Sequence, residues 1–196
     1  MKSIAYRWIS VGLALMMTGC LALPGGGVNR KQAYDDLQVA WKQENERIAL
    51  AQGERVLSKD FDQVYSAFIT ALSELGMSVK NTERQSGYIY AEGKSILPAD
   101  EHAAICEQMR AEIRQSVGIN SSCLGDKPGE TLSQTITVTI QKFNKQTKVK
   151  LRLNVEGSSP HGVAGSIQYP PFHTAKLKAI WNKVDQQLFL NEHLDI

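Results

Sequence analysis

The 196-residue chain holds only 3 Cys and 6 Pro, and its aromatic residues make up 7%. It also has no apolar run of membrane-spanning length, which needs about 20 residues. So few cysteines exclude a disulfide-dense mini-scaffold. So few prolines exclude a collagen-like or low-complexity chain. Charge of either sign is scarcely in excess: 22 Lys+Arg face 20 Asp+Glu, and Lys2 and Arg7 near the start account for the difference. A balanced chain has no overall electrostatic footprint for nucleic acid. The catalytic signatures are missing too. No His-Glu-x-x-His, zinc-finger cysteine spacing, Gly-x-Ser-x-Gly elbow or phosphate loop occurs. The reading is a non-enzymatic protein with no metal and no cofactor.

What is present begins at the N-terminus. Lys2 and Arg7 precede an uncharged apolar run, Trp8 to Met17, which ends in Thr18-Gly19-Cys20. A basic start and a short apolar run are the parts of a secretory signal. The Thr-Gly-Cys ending resembles the lipobox of bacterial lipoproteins, with Met17 where that family prefers Leu. The resemblance implies cleavage before Cys20, a diacylglycerol on its thiol and an N-acyl chain on the new amine. Two or more acyl chains hold a protein stably on a membrane. Leu21 follows where an Asp would favour retention at the inner membrane. By the same resemblance the destination is the outer membrane, with the folded part facing the periplasm of a two-membrane cell.

Leu21 to Gly27 contains Pro24 and three glycines, a flexible tether. From Lys31 to Glu46, the positions of Tyr34, Leu37, Ala40 and Trp41 allow a short helix or an arm that orders on a partner. A strand is expected over Glu54 to Ser58. Asp60 and Gln63 stand at capping-box spacing before Phe61, Val64, Phe68, Leu72 and Leu75, and Gly76 ends the run. Strands at 77–84 and 88–91 flank a turn at Gly87. Residues 93–132 form an insertion with a helix-like stretch from Pro98 through Ile113. Thr135 to Gln141 and Lys148 to Val155 alternate polar and apolar residues, as strands with one wet face do. A long loop is expected from Gly157 to Pro171, then a helix from His173 to Asn191.

The order β-α-β-β-insertion-β-β-α predicts an α+β fold with two helices on one face of an antiparallel sheet. The run from Phe61 to Gly76, followed by Gly87-Tyr88-Ile89-Tyr90, resembles the helix-grip domain of the C-type lipoprotein of the outer-membrane β-barrel assembly machine and related small lipoproteins. The organisation expected is a signal over 1–19, a lipidated tether with a possible short helix over 20–52, and one domain over 53–196.

Cys106 and Cys123 are an even pair, a disulfide in an oxidising compartment or else two structural thiols. His161 and His173 flank the loop segment that holds Tyr169-Pro170-Pro171-Phe172, as surface residues or a metal pair. Lys148, Lys150 and Arg152 share one strand face, either solvated or in contact with anionic headgroups or an acidic partner. Tyr169-Pro170-Pro171-Phe172 offers aromatic contact area on a stiff backbone, or else packs over the end of the sheet. The functional expectation is an accessory of an envelope assembly or maintenance complex. It would touch its partner through Lys148, Lys150, Arg152, Tyr169 and Phe172. The alternative is a carrier of a small apolar ligand in a helix–sheet cleft.

Overall fold

The structure is a computed structural model that describes residues 29–123, 131–158 and 168–193. Cys20, the tether and His161 lie outside the described residues. Helix α1 (Arg30–Gln52) starts where Asn29 accepts a hydrogen bond from the Gln32 N–H. It runs longer than the 31–46 stretch suggested. Its buried residues are Trp41 and Ile48, so α1 packs into the folded unit that the sequence placed from residue 53. Gly53 alone separates α1 from strand β1 (Glu54–Leu57). A Cβ there would sit 2.3 Å from the Ala49 carbonyl oxygen and 2.7 Å from that of Leu151, so only glycine fits the corner.

Asp60 caps helix α2 (Phe61–Glu74), its carboxylate accepting from the Gln63 N–H at 2.9 Å. Strands β2 (Ser78–Glu83) and β3 (Tyr88–Gly93) follow, then helix α3 (Ala99–Val117), which Gly118 ends at φ +73°. Strands β4 (Thr131–Phe143) and β5 (Gln146–Ser158) form a long hairpin turned by Asn144 and Lys145, with Asn144 at φ +56°. Helix α4 (Pro170–His193) starts three residues before the expected His173, because Pro170 can open a helix, where its missing N–H costs nothing.

The sheet is antiparallel throughout, in the order β1-β5-β4-β3-β2. The fold is α+β. Apolar residues of α2 and α4 cover one face of the sheet, where Phe68, Leu72, Ile180 and Trp181 meet Ile89, Ile136, Val138 and Leu151, all at most 1% exposed. The Trp181 ring stands edge-on to Phe68 at 5.4 Å, and its N–H donates to the Gln52 carbonyl at 2.8 Å. This aligns the end of α1 with the middle of α4.

A second apolar cluster has no strand in it. Trp41 of α1, Ile105, Met109 and Ile113 of α3, and Tyr169 and Phe172 at the start of α4 are buried together. Helix α3, from the stretch read as an insertion, is therefore part of a three-helix layer. It joins the rest through α1 and α4. Cys106 and Cys123, 1% and 0% exposed, are bonded to each other inside this layer.

Candidate functional site

Alternation along the strands decides which side chains face out. Val149 and Leu151 of β5, and Ile136, Val138 and Ile140 of β4, point to the helices. The residues between them point the other way, onto a face that no described helix covers. Strand register arranges that face in rungs. Asn81, Tyr90, Thr137 and Arg152 lie side by side, next to a rung of Glu83, Tyr88, Thr139, Lys150 and Glu54. Threonine and tyrosine suit an exposed pleated surface and supply hydroxyls without net charge.

The basic cluster read from the sequence is on this face, but two of its members share one carboxylate, which offsets one of their two charges. Lys150 and Lys148 approach the Glu54 carboxylate at 2.9 and 3.4 Å. Their hydrogen bonds hold the Glu54 carboxyl below the usual carboxylate range. Arg152, exposed, has no ion-pair partner among the described residues. On the neighbouring strands, the Tyr90 hydroxyl donates to Glu92 at 2.7 Å, which raises the phenol above its ordinary value. The face is thus a Thr–Tyr surface with charge at its margins, in place of the simple basic stripe the sequence suggested. Glu54 was missed because its pairing with β5 is non-local.

Tyr169 and Phe172 correct the expectation of an aromatic contact segment. They are 4% and 5% exposed and lie in the second cluster. The Tyr169 ring meets Trp41 edge-on at 4.9 Å. Burial, with the Glu112 carboxylate nearby, pushes its phenol up to about 12. Glu112 also accepts from the Trp41 indole N–H at 2.9 Å. Phe172 packs on His102 at 5.0 Å. These aromatics hold α1, α3 and α4 together and offer no surface to a partner.

The histidines separate. His102 Nδ1 lies 3.6 Å from Cys106 Sγ, whose sulfur is bonded to Cys123. These three residues converge, but both sulfurs are engaged in the disulfide. His173 sits in the first turn of α4, half-buried, and burial lowers its imidazole to about 4. Lys176, one turn on, is 2% exposed, and burial lowers its amine to about 8. Its ammonium faces the Phe172 ring at 5.9 Å.

A cleft of about 420 Å³ opens beside β5. β1 pairs with β5 only as far as Glu54 with Lys150, and one more bond joins the Leu151 N–H to the Gly53 carbonyl. Beyond that point the C-terminal half of α1 lines the cleft, facing residues 152–155 of β5 and His173. The space between the covering helices and the sheet, where an apolar ligand was the alternative expectation, is occupied by the core side chains named above. Comparison with models of known protein families, with curated proteins and with solved structures gives no match.

Proposed function

We propose that this chain is a non-enzymatic lipoprotein, held by lipid on Cys20 at the outer membrane, whose periplasmic domain docks a protein of the cell envelope. The observation that supports the docking surface most is the uncovered sheet face. A layer with helices on only one side leaves the rungs through Thr137 and Thr139 open, flanked by Tyr88, Tyr90 and Arg152. Tyr and Arg are the residue types enriched at interface centres. Thr hydroxyls provide hydrogen bonds at small side-chain entropy cost. The basic start, the short apolar run and Thr18-Gly19-Cys20 support the anchor. Confinement to a membrane raises the effective concentration of the domain, so weak contacts suffice.

The test is crosslinking in cells from a photoreactive residue placed at Thr137, followed by affinity purification and mass spectrometry. The same residue at Ser66, exposed on α2, is the control. A second control is Cys20→Ala behind a cleavable secretory signal. The expected result is an envelope protein captured from position 137, absent from position 66 and reduced in the unlipidated form. Equal capture from both positions would remove the docking face, and undiminished capture without lipid would remove the role of the anchor.

A further inference from the structure

Strand β5 is paired along its whole length on one side and along only part of it on the other. Its ladder with β4 runs from Gln146 to Ser158 with no shift in register. On the opposite edge β1 covers Thr147 to Lys150, and the bond from the Leu151 N–H to the Gly53 carbonyl is the last. Successive residues of an antiparallel strand turn their N–H and C=O groups to opposite edges. Leu151 faces the β1 side, so Leu153, Val155 and Gly157 face it too. The groups these three turn outward have no backbone partner among the described residues. Cavities of about 420 and 300 Å³ flank this edge, and Ala49, Arg152, Leu153 and Asn154 border both.

The other edge of the sheet differs. β2 breaks register between Val79 and Asn81, where Lys80 is exposed. A bulge and a lysine are devices that keep an edge from pairing. The free part of β5 has neither a bulge nor a proline. A regular unpaired edge is where an extended peptide adds as a further strand. Cross-strand pairing then sets the chemistry of that peptide. A strand that continues the line of β1 is antiparallel to β5. Opposite Leu153 and Val155, on the side lined by Leu50 of α1, it takes apolar residues. On the other side, exposed Arg152 takes an acidic residue and exposed Glu156 a basic one. We infer that the 152–157 edge of β5 binds an extended peptide of another protein as an added antiparallel strand, in the order basic, apolar, polar, apolar, acidic.

The test is fluorescence anisotropy of a labelled, end-capped peptide, Ser-Lys-Val-Thr-Val-Glu, titrated with the full chain in detergent. Antiparallel pairing sets its Lys opposite Glu156 and its Glu opposite Arg152. The expected result is saturable binding with a Kd of about 0.1 mM or tighter. N-methylation of either valine removes an N–H aimed at β5 and should weaken binding by about tenfold or more. N-methylation of the threonine, whose N–H points away, should weaken it by less than about twofold. Val155→Pro deletes one outward donor and leaves the β4 ladder intact, so it should cost about tenfold with an unchanged far-UV circular dichroism spectrum. Exchanging Lys and Glu in the peptide should cost about fivefold. The inference is overturned by no saturation at about 1 mM chain, by equal effects of methyl groups on valine and threonine, or by indifference to Val155→Pro. Equal or tighter binding of the exchanged peptide would also overturn it. Amide hydrogen exchange tests the other occupants. In the free chain the Leu153 and Val155 amides should exchange faster than those of Arg152 and Asn154, which bond to β4. Equal protection of all four would mean that the chain itself or a second copy already fills the edge, and would overturn the inference.

Discussion

Reducing the Cys106–Cys123 bond cuts the cross-link that closes α3 onto the segment following it. The two residues are 17 apart in sequence. A loop of this size, opened in the unfolded chain, lowers stability by about 3 kcal/mol in the chain-entropy relation. With a urea dependence of about 2 kcal/mol per molar, the midpoint should fall by about 1.5 M. Urea titrations of the oxidised and the reduced protein compare the same atoms, so no cavity contributes. The chain has 3 Trp, and two of them report separately: Trp41 is in the helical layer and Trp181 in the sheet core. In a Trp8→Phe background, Trp41→Phe and Trp181→Phe isolate each probe. Because α4 contributes buried residues to both clusters, the two probes should move together. A Trp41 midpoint unchanged on reduction would show that the bond constrains nothing the unfolded chain lacks, and the entropic argument would fail.

Three further outcomes are expected. Gly87→Ala places a Cβ 2.0 Å from the Ile140 carbonyl oxygen at φ +69°, and should cost about 3 kcal/mol, read as a fall in Tm of about 6–12 °C; a fall of under about 2 °C would refute the close approach. Phe68→Ala empties a site that is 0% exposed and removes the edge contact with Trp181, and should cost about 4 kcal/mol by urea titration. The pH dependence has a defined sign. Burial depresses His173 from 6.5 to about 4, so between those values the unfolded chain binds the extra proton. Its stabilising contribution is complete above pH 6.5 and is lost as pH falls towards 4. Lys176, depressed from 10.5 to about 8, acts in the same sense, so stability rises again between pH 8 and 10.5. His173→Gln should flatten the acidic limb alone, and an unaltered limb would refute the assignment.

The elements that were legible in the sequence are those whose signals are local. Asp60, the apolar spacing of α2 and Gly76 delimit one helix without reference to anything else. The alternation of β4 and β5 is equally self-contained, although the strands run further at both ends because the long hairpin lets each extend the other. What was illegible depends on partners far away in the chain. In α1 the helix-like spacing of Tyr34, Leu37, Ala40 and Trp41 runs into the polar stretch 42–47, so the full length of the helix was not legible; it is secured by Trp41 and Ile48 docking on α3, α4 and the sheet. Tyr169 and Phe172 look like a contact motif because aromatics beside prolines suit either an interface or a seam. Only the position of α3 makes them a seam. The cleft was invisible because its lining comes from α1, β5 and α4, and no spacing rule links Asn45 to His173.

The single glycine between α1 and β1 has a mechanical consequence. A helix that passes into a strand through one residue cannot swivel freely, and the bond from the Trp181 indole to Gln52 pins its last turn. The 23 residues of α1 extend about 34 Å at 1.5 Å each. In the anchored state proposed above, this helix is a rigid spar between the tether and the sheet. It fixes the angle of the open face relative to the α1 axis. The tether then sets only how far the spar can pivot. Lengthening it would enlarge the searched area and leave the tilt of the docking face relative to α1 unchanged.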